Sequence, residues 1–81
     1  MPIGGFVINI DPASKEKVLQ ELEKLEGVEI YGSDSRGNIV AVIDSETSEE
    51  MESSVEKISA INGVLTVGLT YLHAEDEVEK I

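Results

Sequence analysis

The sequence predicts an α+β domain in which four strands form one antiparallel sheet and two helices cover a single face of it. Two observations carry this prediction. A long β-branched and apolar run, Gly63-Val64-Leu65-Thr66-Val67-Gly68-Leu69-Thr70-Tyr71-Leu72-His73, has a shorter echo 36 positions earlier at Gly27-Val28-Glu29-Ile30-Tyr31-Gly32. Each copy follows an amphipathic helical segment, so a strand-helix-strand unit is used twice.

The first strand reads Phe6-Val7-Ile8-Asn9-Ile10, with Phe6, Ile8 and Ile10 alternating against Val7 and Asn9, and the Gly4-Gly5 pair precedes it. Asp11-Pro12 then supplies a capping side chain followed by proline at the first helical position. Val18, Leu19, Leu22 and Leu25 form a stripe along one side of the first helix, which Gly27 ends. The second strand spans about Val28 to Ser33. Asp34-Ser35-Arg36-Gly37-Asn38 is a tight polar connection of hairpin type, leading into the apolar third strand Ile39-Val40-Ala41-Val42-Ile43. Thr47 with Glu50 fits a capping box for the second helix, whose stripe is Met51, Val55, Ile58 and Ile61. Asn62-Gly63 closes that helix, and the fourth strand runs to about His73. Residues 75–81 form an acidic tail beyond an ordered span of about 3–74.

The order β-α-β-β-α-β is the ferredoxin-like arrangement, with spatial strand order 4-1-3-2. Right-handed crossovers place both helices on one side of the sheet. They can cover only that side. Alternation assigns Phe6, Ile8, Ile10, Val28, Ile30, Ile39, Ala41, Ile43, Leu65, Val67, Leu69 and Tyr71 to the covered face. The opposite face receives Gly5, Val7, Asn9, Glu29, Tyr31, Asn38, Val40, Val42, Asp44, Thr66, Gly68 and Thr70. Small residues make it a shallow trough, and the candidate binding residues are Val7, Asn9, Tyr31, Val40, Val42, Thr66, Gly68 and Thr70. A half-exposed sheet with tolerated valines, or dimerisation through the sheet, are the alternative readings of the same face.

Size and composition narrow the function. At 81 residues the chain reads as a single domain with one aliphatic core, since aromatics are only 4%. The absence of cysteine removes disulfides, thiolate metal sites and thiol nucleophiles, and favours a reducing cytoplasm. No stretch approaches the about 18 apolar residues of a membrane span, and no export leader opens the chain. Seventeen acidic against six basic side chains give a formal charge of −11, which repels nucleic acid and anionic lipid and attracts cationic ligands. The lone His73 has no partner for a metal site or a triad, and the acidic runs lack the spacing of a calcium loop. Asp11-Pro12-Ala13-Ser14 carries no arginine or glycine to hold a phosphate. No catalytic residue, metal site or cofactor is expected.

Three motifs carry a resemblance to a known family. They are Leu25-Glu26-Gly27-Val28-Glu29-Ile30 after the first helix, Gly37-Asn38-Ile39-Val40-Ala41-Val42 after the hairpin, and Gly63-Val64-Leu65 followed by Leu69, Tyr71 and His73. From about Phe6 to Glu75 the chain resembles the NapD family, cytoplasmic chaperones for maturation of the periplasmic nitrate reductase catalytic subunit. The resemblance implies a non-enzymatic protein that binds the twin-arginine signal peptide of its client on the sheet surface. It also implies that the precursor is held until its molybdenum cofactor is inserted, with the protein acting as a monomer or weak dimer. The ending Tyr71-Leu72-His73 departs from the apolar-Tyr-His-His ending expected of the family. A regulatory small-molecule-binding domain of the ACT or Lrp-effector type shares the fold, but usually carries a glycine-bearing loop after its first strand. A small assembly subunit whose sheet docks on a larger protein is a third reading.

Overall fold

The computed structural model describes residues 1–73, so the acidic tail at 75–81 lies outside the described residues. Strand β1 (Ile3–Ile10) leads through a 3-10 turn (Pro12–Ser14) to helix α1 (Lys15–Glu23) and strand β2 (Val28–Ser33). Strand β3 (Asn38–Asp44), helix α2 (Ser48–Ser59) and strand β4 (Val64–His73) follow. The four strands form one antiparallel sheet in the order β2-β3-β1-β4, which is the expected ferredoxin-like order read from the other edge.

Strict alternation builds the core. Along β1, Gly4, Phe6, Ile8 and Ile10 are buried while Ile3, Gly5, Val7 and Asn9 are not. Ile39, Ala41 and Ile43 of β3 are buried on the same side, joined by Val18 and Leu22 of α1 and by Met51 and Ile58 of α2. Ile8, Leu22, Ile39, Ile43, Ile58 and Val18 are the largest fully buried side chains. Each contributes on the order of 2 kcal/mol of burial free energy, which is why two short helices suffice to hold the sheet.

The local signals differ from expectation in instructive ways. Strand β1 begins at Ile3, so Gly4 and Gly5 lie inside it rather than before it. Asp11 caps the 3-10 turn, its side chain accepting from the Ala13 N–H at 3.1 Å, and α1 starts only at Lys15. Thr47 caps α2 as its sequence predicts, accepting from Glu50 N–H at 3.0 Å. Glu50 reaches one residue further back, to the Glu46 N–H at 3.3 Å.

The largest correction concerns β4. Its register against β1 shifts twice, between Gly5 and Phe6 and between Asn9 and Ile10, leaving Thr70 and Leu65 without pairing partners of their own. Each bulge resets the alternation. Tyr71 therefore pairs with Gly5, on the uncovered face, and is 59% exposed rather than in the core. Leu65 is 68% exposed and does not join the core either. Leu69 pairs with Phe6 on the covered side, yet the strand's edge position leaves it exposed. Together with Leu72 it borders a groove of 590 Å³ between β4 and α2, lined also by Phe6, Met51 and Val55.

The two halves of the chain lock reciprocally. The Asp44 N–H, ending β3, donates to the Gly27 carbonyl at 2.8 Å, and the Asp11 N–H, just past β1, donates to the Gly63 carbonyl at 2.8 Å. Both glycines have positive φ, 80° and 102°. An added Cβ at Gly27 would stand 2.4 Å from the Asp44 carbonyl oxygen, and one at Gly63 would stand 2.7 Å from the Ser14 Cβ. The echo in the sequence is thus a mutual contact: each half's helix-ending glycine receives the strand end of the other.

Gly27→Ala is expected to cost about 1–3 kcal/mol, because it combines a strained φ with a clash against backbone that cannot move aside. Gly32→Ala, where an added methyl meets nothing within 4 Å, is expected to stay within about 0.5 kcal/mol of the parent. Thermal unfolding of the two variants side by side checks this, and equal losses would refute it.

Candidate functional site

The uncovered face of the sheet is organised in rows across the strands. At the end where the β2–β3 turn lies, Thr66, Asn9 and Asn38 stand side by side on β4, β1 and β3. The Thr66 hydroxyl donates to Asn9 Oδ1 at 2.8 Å, Asn9 Nδ2 donates to Asn38 Oδ1, and Asn38 Nδ2 donates to Asp34 Oδ2 at 2.9 Å. Asp34 Oδ1 accepts from the Arg36 and Asn38 backbone N–H groups, both at 2.9 Å. These bonds, the Asn38 side chain's first, hold the Asp34 carboxyl below its ordinary range. The row is a continuous hydrogen-bonded ladder from β4 to the turn.

The next rows are apolar. Val7 is flanked by Gly68 and Val40, and Val40 pairs in turn with Gly32, beside the bulged Tyr31. One step on, Gly5 lies between Tyr71 and Val42, and Val42 pairs with Glu29. The last row is His73, Ile3 and Asp44. Gly5 and Gly68 leave the middle low, while Tyr31 at 67% and Tyr71 at 59% exposure stand at opposite edges. Val40 is 45% exposed, a β-branched side chain facing solvent at the centre of the trough.

All eight candidate residues named from the sequence fall on this face, but in different situations. Val7, Val40, Val42 and Gly68 are contiguous and form its floor. Asn9 and Thr66 are committed to the ladder. Thr70 sits in the bulge, and its hydroxyl donates to the Gly5 carbonyl at 3.0 Å. Tyr31 borders the β2 edge. The reading missed Tyr71, and with it Ile3, which extends the apolar strip to the end of β1. A glycine inside a strand run signals a bulge, and Gly4-Gly5 was that signal. Among the described residues no group of three or more His, Cys, Asp or Glu is placed to hold a metal ion.

This face offers a shallow apolar strip between two tyrosines. A family model described as NapD protein matches residues 1–76. This chain belongs to the NapD family. It is 31% identical to Chaperone NapD of Escherichia coli strain K12 over 61 residues, covering 74% of this chain and 70% of that protein. The NapD chaperone of Shigella flexneri matches to the same extent. The solution structure of the E. coli Tat proofreading chaperone NapD superposes with a TM-score of 0.81 at 25% identity, over 93% of this chain and 80% of that one.

The Asp34 ladder makes a pH prediction. Its folded pKa lies below the unfolded value of about 3.9, so the unfolded state binds the proton more readily. The stabilisation is fully present at neutral pH and is lost as pH falls through and below that value. Asp34→Ala is therefore expected to melt below the parent at neutral pH, with the gap closing in strong acid. A gap that widens on acidification would refute the assignment.

Proposed function

We propose that this protein is a NapD-type chaperone that holds the twin-arginine signal peptide of a periplasmic nitrate reductase catalytic subunit on its uncovered sheet face. Occupancy of the signal delays export until the client has received its cofactor, and the protein acts in the cytoplasm without catalysing a reaction itself. The single observation that supports this best is the strip Val7, Val40 and Val42 between Tyr31 and Tyr71. It is apolar and solvent-facing on a sheet whose helices lie wholly on the other side. A chain of this charge is suited to a basic segment, and an apolar strip is suited to the hydrophobic stretch that follows in such a signal. Exposed ion pairs add only about 0–1 kcal/mol each, so apolar contact supplies most of the affinity.

The ACT-type alternative has less support. The loop after β1 is a proline-containing 3-10 turn capped by Asp11, without the glycine that such domains use against an amino acid. No helix among the described residues is long and apolar enough to cross a membrane, in keeping with a partner met in solution.

Titration with a synthetic nitrate reductase twin-arginine signal peptide tests the proposal. Binding tighter than about 100 μM is expected, equivalent to more than about 5.5 kcal/mol. Val40→Glu should weaken it at least tenfold without lowering the melting temperature by more than a few degrees, because the side chain is already half in water. Absence of binding by the parent protein, or an unaffected Val40→Glu variant, would sink the assignment.

A further inference from the structure

The uncovered face is electrically polar along its strands, and this fixes the direction in which a ligand lies. At the turn end, Asp34 accepts from the Arg36 and Asn38 N–H groups and from the Asn38 side chain, and Asp11 accepts from the Ala13 N–H. Two cations gather there, Arg36 in the turn itself and Lys15, whose Nζ donates to the Asp34 carbonyl at 3.2 Å. At the other end the situation reverses. Glu29 and Asp44 lie on the uncovered face in adjacent rows, both exposed. Neither carboxylate has a hydrogen-bond or ion-pair partner among the described residues. Lys57 of α2 lines the same pocket as Asp44 but makes no ion pair with it. Tyr71 ends the same row as Glu29 at the opposite edge, three strand spacings or about 14 Å away, and presents an aromatic ring to a second cation.

Between the two ends runs the apolar strip. From Asp44 to Val40 along β3 is four residues, about 13 Å at strand rise. Beyond Val7 and Val40 the strip stops against the Thr66–Asn9–Asn38 ladder, whose neutral side chains carry no charge to draw a cation and offer no apolar surface to a hydrophobic segment. A ligand with paired cations joined directly to an apolar run can satisfy both parts in one orientation only.

We propose that the ligand of this face binds with its cationic end over Glu29, Asp44 and Tyr71 and its apolar segment running over Val42, Val7 and Val40 toward the amide ladder. This rests on the peptide-binding reading above and adds direction and two specificity-determining carboxylates to it. Its occupant is a peptide whose cations precede its hydrophobic stretch. A peptide of the same composition in reverse order would have to turn end for end or leave one part unsatisfied.

The test places a nitroxide at the cationic end of the synthetic signal peptide and reads line broadening at the amides of the isotope-labelled full chain. The chain has no cysteine to capture the label. Broadening is expected at Ile3, Val28, Glu29 and Asp44, and not at Asn38, Thr66 or Asn9. A Glu29→Lys, Asp44→Lys double variant is expected to lose roughly three- to tenfold in affinity at low salt, and to lose almost nothing for a peptide whose two arginines are replaced by glutamine. Broadening at the ladder end, or equal broadening at both ends, overturns the inference while leaving the peptide-binding reading intact. An equal loss of affinity for the two peptides also overturns it. Failure of the parent protein to bind either peptide overturns both together.

Discussion

The register of β1 against its two neighbours decides which residues this protein hides and which it displays. β1 and β3 are the two inner strands, and β1 is paired with β3 from Ile3 to Asn9 and with β4 from Ile3 to Ile10. Ile8 is fully buried between Ile39 and Val67, and Val7, one residue earlier, lies between Val40 and Gly68 on the opposite face. A slip of one residue would exchange these sets wholesale. The apolar pressure against slipping is the burial of Phe6, Ile8 and Ile10 under α1 and α2, and the polar pressure is the amide ladder, which needs Asn9 level with Asn38 and Thr66. Core and displayed face are thus specified by the same alignment.

That alignment explains what was legible in the sequence and what was not. Strands β1 and β3 keep strict period-two alternation, so Val7, Asn9, Val40 and Val42 could be assigned to the uncovered face from spacing alone. Alternation predicts the faces of Thr66 to Leu69, the segment between the bulges of β4, and that of Thr70, but not those of Leu65 and Tyr71. A bulge adds a residue without adding a step, and no property of Leu65 or Thr70 by itself announces one. Gly5 stands opposite the bulge, where an added Cβ would lie in ordinary contact with Thr70 Oγ1 at 3.4 Å and the Tyr71 Cβ at 3.5 Å. Tyr71 lies on the opposite face from the expected core because the extra residue, Thr70, shifts the alternation by one.

The bulges also bear on β4 as an exposed edge. A long regular apolar edge strand invites pairing with another chain, and β4 carries Leu65, Leu69, Tyr71 and Leu72 in exposed positions. Two register breaks in ten residues leave only Thr66 to Leu69 with uninterrupted geometry. The strand is thereby spoiled as a template for edge pairing, and the formal charge of −11 on each copy opposes association further. Apolar surface can therefore be displayed on the sheet's face with less risk of its being captured along the sheet's edge.

A chaperone that must release its client needs a surface that is apolar enough to hold a hydrophobic segment and too shallow to bury it. The trough meets both conditions by composition. Its floor is valine and glycine, which offer area without depth, and its walls are tyrosines, which offer area that remains partly wet. A deeper cleft would require large residues to be withdrawn from the sheet or a third helix to rise beside it. The two helices are wholly engaged on the other side, holding Ile39, Ala41 and Ile43. Weak, extended contact is thus what remains available to a sheet covered on one face.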